Sequence, residues 1–147
     1  DVALISVQAK QLGIPSKLMG VDGWDGVLEK IDKSNMSAVD GAYFCSQYSA
    51  ESDDPAVQQF IKDYKAKYKA EPNMFAVLGY DAMNIMLESI KKAGTTDFAK
   101  VVETMKGIKF EGLTGSITFD KDRNPVKSAA IMNIKGGAYK FVEYFGK

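Results

Sequence analysis

The residues with the most chemical content lie in the run Gly20-Val21-Asp22-Gly23-Trp24-Asp25-Gly26. It sets a carboxylate beside an indole on a loop whose glycines allow close backbone approach to a ligand. A carboxylate with an aromatic neighbour offers complementary charge and an apolar surface for non-covalent binding. The spacing is G-x-x-G-x-x-G, so it is neither the dinucleotide G-x-G-x-x-G nor a P-loop, which needs Gly-Lys-Ser/Thr. The competing reading is a tight turn between strand and helix in which Asp25 caps the helix. Trp24, the only tryptophan, favours binding, because it stands in a flexible loop rather than on an apolar face. Tyr48 follows a predicted strand end and is a second residue able to reach a cleft.

Other constellations carry less. Asp120-Lys121-Asp122-Arg123-Asn124 imitates the opening of a calcium loop, but Pro125 stands where glycine is required and Ile131 where the bidentate glutamate belongs. It reads as a solvated turn. Asp53 and Asp54 are adjacent and do not converge on a substrate as a glycosidase pair would. Asn35-Met36-Ser37 fits a glycosylation acceptor of a kind common by chance. The chain has no histidine and one cysteine, Cys45, which reads as a small buried hydrophobe in an apolar stretch. Ser-His-Asp, Cys-His and zinc hydrolase chemistries are thereby excluded, and no cofactor or metal is expected. Nineteen basic residues balance nineteen acidic ones, and only Arg123 is an arginine. Nucleic-acid binding is not expected from that balance.

The elements that position these residues can be read along the chain. A helix covers the first thirteen residues, with Val2, Ile5, Ala9 and Leu12 on one face and Gly13 as its stop. Lys17 to Val21 is a short buried-strand candidate, followed by a short helix through Val27, Leu28 and Ile31. The next strand runs from Gly41 to Cys45 and on toward Tyr48. Asp54-Pro55 starts a helix whose Val57, Phe60, Ile61, Tyr64 and Tyr68 share a face opposite its lysines. The tyrosines at 43, 48, 64, 68 and 80 read mostly as core. The helix from Phe75 to Ala93 confines its polar residues to a stripe of Asp81, Asn84, Glu88 and Lys91, which predicts burial against a sheet. Thr96-Asp97 opens a third helix. Gly115–Phe119, Ala129–Ile134 and Tyr139–Tyr144 are strands, the last two joined by a Lys135-Gly136-Gly137 hairpin. The order is α/β with a β-rich tail. Two helix-flanked strands are too few for a complete parallel sheet, which usually has about 4–6, so the chain reads as part of a larger fold.

Together these residues carry a family resemblance. Gln8-Ala9-Lys10-Gln11-Leu12-Gly13 and Met19-Gly20-Val21-Asp22-Gly23-Trp24 are followed by Asp54-Pro55, Glu71-Pro72, Gly79-Tyr80-Asp81-Ala82 and the stretch from Phe110 to Asp120. From Val2 to about Tyr144 the series resembles the second half of branched-chain amino-acid (Leu/Ile/Val-type) ABC transporter substrate-binding proteins, which are type I periplasmic binding proteins. The resemblance implies a three-layer α/β/α scaffold, the C-terminal part of a bilobal fold that closes on an amino acid. Residues 1–47 and 131–147 would belong to the C-terminal lobe and 48–130 to the N-terminal lobe, in a fragment lacking the N-terminal half. Asp22 would match the acidic residue that holds the ligand's α-ammonium, and Phe75 an apolar wall beside the side-chain pocket. The serine and threonine donors for the α-carboxylate would come from the absent half.

The expected function is that of an extracytoplasmic, non-enzymatic binding component. It captures an amino acid or related small zwitterion in an interlobe cleft and delivers it to a membrane permease. The location would be periplasmic or extracellular, with lipoprotein tethering in a Gram-positive host. A ligand-sensing regulator on the same scaffold and a histidine-free α/β enzyme are the alternatives. An uncapped first helix and unpaired strand edges further predict self-association, by exchange of elements in a swapped dimer.

Overall fold

Capping side chains start three of the helices where the sequence places them. The computed structural model describes residues 1–146. Along the chain run α1 (Val2–Gln11), β1 (Met19–Gly20), α2 (Val27–Lys30), β2 (Tyr43–Ser46), α3 (Pro55–Tyr68), α4 (Met74–Ala93) and α5 (Phe98–Lys106). They are followed by β3 (Phe110–Gly112), β4 (Gly115–Phe119), β5 (Pro125–Val126), β6 (Ala129–Lys135) and β7 (Ala138–Phe145). Asp54 accepts the Ala56 N–H at 2.8 Å to open α3, Asn73 accepts that of Ala76 at 3.1 Å for α4, and Asp97 that of Lys100 at 3.1 Å for α5. Each satisfies a backbone donor that the first helical turn cannot. Asp1, at the N-cap of α1, makes no such bond.

The chain divides into two compact units. Unit 1 comprises residues 1–52 and 129–145, and unit 2 comprises 53–128 with Gly146.

Unit 1 is built on a mixed sheet in the order β1-β2-β6-β7. β1 runs parallel to β2, with Met19 opposite Tyr43 and Gly20 opposite Phe44, whereas β6 is antiparallel to both β2 and β7. The β-rich tail is therefore not a separate layer, because its last two strands complete the sheet that β1 and β2 begin. Alternate residues of β6, Ala130, Met132 and Ile134, point into a core shared with Trp24, Val27, Ile31, Val39, Ala42 and Phe44. Full burial of each larger aliphatic side chain there contributes roughly 1.5–3 kcal/mol. β1 corrects one expectation. It is an exposed edge strand of two residues, with Met19 78% exposed, and not a buried one.

Unit 2 joins α3, α4 and α5 to a three-stranded sheet in the order β3-β4-β5. Ile85, Ile108 and Ile117 form one core cluster of this unit, with Met105, Phe110 and Phe119 packed around them, and Val57, Ile61, Met74, Val77 and Val101 are buried as well. The expectation that α4 buries its apolar face is also corrected. Met83 is 61% exposed and Leu87 54% exposed, while the buried line of α4 runs Met74, Val77, Asp81, Ile85 and Ser89. Asp81 of the expected polar stripe instead turns toward the β3–β4 connection. Its carboxylate accepts the N–H groups of Leu113 and Thr114, both at 2.9 Å, and the Thr114 hydroxyl at 2.8 Å. The tyrosines differ from expectation as well. Tyr68 and Tyr80 are about half exposed, and only Tyr48 of the five is buried.

Candidate functional site

The loop after β1 is shaped by a close approach between two of its own residues. Gly20 ends β1, and a Cβ placed on it would fall inside the Trp24 indole. With no side chain in the way, the ring folds back over the strand end and enters the unit 1 core at 8% exposure. Trp24 is thus a core residue rather than the occupant of a flexible loop. Between the two, Asp22–Trp24 winds into a 3₁₀ turn, with the Trp24 N–H on the Val21 carbonyl at 3.1 Å and the Asp25 N–H on that of Asp22 at 2.9 Å. Asp22 opens this turn and is exposed. The same turn that draws the indole inward leaves the carboxylate at the surface.

The turn leads into α2 through Gly26, which is the N-cap at φ +81°, a left-handed value that favours glycine. Asp25 precedes the cap and does not occupy it.

Tyr48 stands two residues beyond β2, the parallel neighbour of β1. Its N–H donates to Ser46 Oγ at 3.4 Å, and Ser46 Oγ donates to the Tyr48 carbonyl at 3.1 Å. That reciprocal pair turns the chain and buries the tyrosine to 8% exposure. Asp22 and Tyr48 therefore follow the carboxyl ends of two adjacent parallel strands, where open α/β sheets bind their ligands. Phe75 is in unit 2, in the first turn of α4, and is 59% exposed. The structure so brings Asp22, Trp24 and Tyr48 into one unit and places Phe75 in the other.

Sequence reasoning missed two residues that shape these elements. Tyr139 of β7 accepts the Leu28 N–H at 3.0 Å, at the start of α2. Glu51 accepts Lys140 Nζ at 2.7 Å and the Phe141 N–H at 3.0 Å, which holds its carboxyl below the usual carboxylate range. Neither carries a local signal, since their partners lie 111 and about 90 residues away in sequence. The Asp120 carboxylate spends both oxygens on its own turn, accepting the N–H groups of Asp122 and Asn124 and the Asn124 amide. Among the described residues no three His, Cys, Asp or Glu side chains group as metal ligands. A groove of about 990 Å³ in unit 2, lined in part by Tyr80, Asp81, Glu88, Lys91 and Glu111, contains none of the four predicted binding residues.

Comparison with known proteins bears on this arrangement. The sequence profile of the family described as periplasmic binding protein matches residues 1–138. A leucine-, isoleucine-, valine-, threonine- and alanine-binding protein of Pseudomonas aeruginosa is 29% identical over 125 residues, 82% of this chain and 32% of the relative. The crystal structure of a leucine-binding protein from Thermotoga maritima superposes with a TM-score of 0.84 at 33% identity, over 99% of this chain and 41% of that one. A branched-chain amino-acid transporter substrate-binding protein of Streptococcus pneumoniae, solved with isoleucine, gives 0.77 at 31% identity, over 94% and 40%. The chain thus spans only about a third to two fifths of the length of these relatives.

Proposed function

Because the chain belongs to the periplasmic binding protein family, we propose that it forms part of an extracytoplasmic solute-binding component of an ABC transporter. The solute is a branched-chain amino acid or a related small zwitterion, handed on to a membrane permease. Asp22 is the anchor for the ligand's α-ammonium. The observation that carries this reading is its position, an exposed carboxylate at the carboxyl edge of a parallel strand, on a turn held down by the Gly20–Trp24 packing. An ammonium ion facing such a carboxylate makes a charge-assisted hydrogen bond, and capture needs no nucleophile or base, in keeping with a chain free of histidine. Donors outside these residues take the α-carboxylate. Trp24 supports the loop from beneath, Tyr48 shapes the neighbouring strand end, and Phe75 supplies apolar surface. Unit 1 is assigned to the C-terminal lobe of the family fold and unit 2 to the N-terminal lobe. The chain crosses between them after residues 52 and 128, where the resemblance put the crossings after 47 and 130.

Titration calorimetry on the longer protein that contains this chain tests the reading, with leucine beside 4-methylpentanoate, the same carbon skeleton without the amine. Leucine is expected to bind and the deaminated analogue to bind at least tenfold more weakly, the factor that about 1.4 kcal/mol represents. Equal affinities would remove Asp22 as an ammonium anchor.

A further inference from the structure

α2 is a single turn, and its N-cap, Gly26, has no side chain to offer. A first helical turn leaves backbone donors without partners, and a Ser, Thr, Asp or Asn side chain at the N-cap normally takes the one at the second or third position. Here the second residue of α2, Leu28, donates its N–H to Tyr139 Oη at 3.0 Å, so the cap comes from a strand 111 residues further along the chain. The same hydroxyl donates to Glu29 Oε2 at 3.3 Å, which leaves its lone pairs aimed at the helix.

The tyrosine is itself firmly rooted. Its backbone is opposite Ile134 in the β6–β7 ladder, and its ring meets Phe44 edge-on at 5.6 Å within the unit 1 core. Burial, followed by the nearby carboxylates of Glu29 and Asp25, pushes the phenol above its ordinary pKa, against the opposing effect of the Leu28 N–H. The hydroxyl thus keeps the proton it needs for Glu29.

We propose that Tyr139 is a positioning residue for the ligand loop: its hydroxyl fixes the start of α2, and through Gly26 the turn on which Asp22 stands. Tyr139 does not touch the solute in this arrangement. The inference rests on the reading of Asp22 as ligand anchor, but the tether has its own readout, because the only tryptophan of the chain lies in the tethered turn.

The variant is Tyr139→Phe, which keeps the ring against Phe44 and deletes only the hydroxyl. In the 147-residue chain, Trp24 emission should shift to the red and acrylamide quenching should rise, with far-UV circular dichroism unchanged. In the longer protein the same substitution should weaken leucine binding by about twofold to tenfold, the effect of one neutral hydrogen bond. Trp24 quenching equal to the parent's overturns the proposal, even if the melting temperature falls, since Tyr139 would then be only a core residue. Unchanged leucine affinity overturns it too, provided Asp22→Asn measured alongside lowers that affinity. If Asp22→Asn has no effect, the reading of Asp22 fails instead, and the Trp24 signal alone decides the tether.

Discussion

Asp22 and Gly20 divide the work of the loop between charge and shape, and the two can be separated by substitution. Asp22 is exposed and opens a 3₁₀ turn held by backbone hydrogen bonds, so Asp22→Asn should leave stability within about 0.5 kcal/mol of the parent. In the longer protein it should weaken amino-acid binding roughly tenfold to a hundredfold, the effect of removing a charge-assisted hydrogen bond of about 1.5–3 kcal/mol. Calorimetry beside a thermal melt checks both halves, and a large loss of stability would make Asp22 a turn residue. Gly20→Ala should do the reverse. Its methyl group would occupy the space of the Trp24 ring, which is packed into the core, and overpacking of this kind costs about 1–3 kcal/mol. Its melt should fall measurably, and a Tm equal to the parent's would show the indole free to swing away. The sequence makes Asp22 conspicuous by its neighbours. It does not show which way the indole points, because a one-turn 3₁₀ segment decides that, and glycine-rich spacing does not distinguish an inward ring from an outward one.

At the scale of elements, the helix α4 shows how one buried carboxylate can reverse a face. Sequence periodicity marks Asp81, Asn84, Glu88 and Lys91 as the solvent side, yet Asp81 is 2% exposed and takes three hydrogen bonds from Leu113 and Thr114. Hydropathy has no access to that, since the donors lie 32 and 33 residues away and two of them are backbone groups. The helix itself is legible from Phe75 to Ala93, one residue short of its observed start at Met74, because its periodicity and its end at Gly94 are local. Asp81→Ala would leave the Leu113 and Thr114 donors without their acceptor, at a cost on the order of 3 kcal/mol. The expected result is an early melt of unit 2, read by loss of amide protection in β3 and β4, and full protection at those strands would contradict it. Glu51 gives unit 1 a pH dependence of known sign. Its folded pKa is depressed by Lys140 and by the Phe141 N–H, so its contribution is fully present above the unfolded carboxylate value of about 4.3. It is lost as pH falls through the lower folded value. The side chain is 45% exposed, and after solvent screening the effect is under about 1 kcal/mol. Glu51→Gln should flatten that part of the acid limb of a pH–stability curve, whereas an unchanged limb would show the pair to be screened out.

For the molecule as a whole, the apolar surface is distributed in a way that a free-standing domain of this size avoids. Leu4, Ile5 and Leu12 of the α1 region are 68%, 60% and 78% exposed, and Met19 and Val21 beside the edge strand β1 are 78% and 67% exposed. Single exposed apolar side chains are ordinary, but contiguous groups of them mark surfaces that bind something. In unit 2 the exposed set of Phe75, Met83, Met86 and Leu87 lies along one helix. The shortage of parallel strands in the sequence points to the same deficit, whereas only the family resemblance, and not periodicity, put residues 131–147 with residues 1–47, since antiparallel closure by a distant hairpin leaves no trace in local patterning. The fold spans only 41% of the length of the Thermotoga relative it superposes on. In isolation, these 147 residues should therefore bury the exposed faces against one another. An unpaired edge such as β1 is a template for another chain, and exchange of elements between copies is a low-cost route to a dimer. Sedimentation velocity over a range of concentrations should show a weight-average mass rising above the 16.1 kDa of one chain. Replacing Leu4 and Leu12 together by lysine should lower that association while unit 1 keeps its circular dichroism, because both side chains are mostly outside the core. A mass that stays at one chain across the whole range would show that these faces are tolerated in water and need no cover.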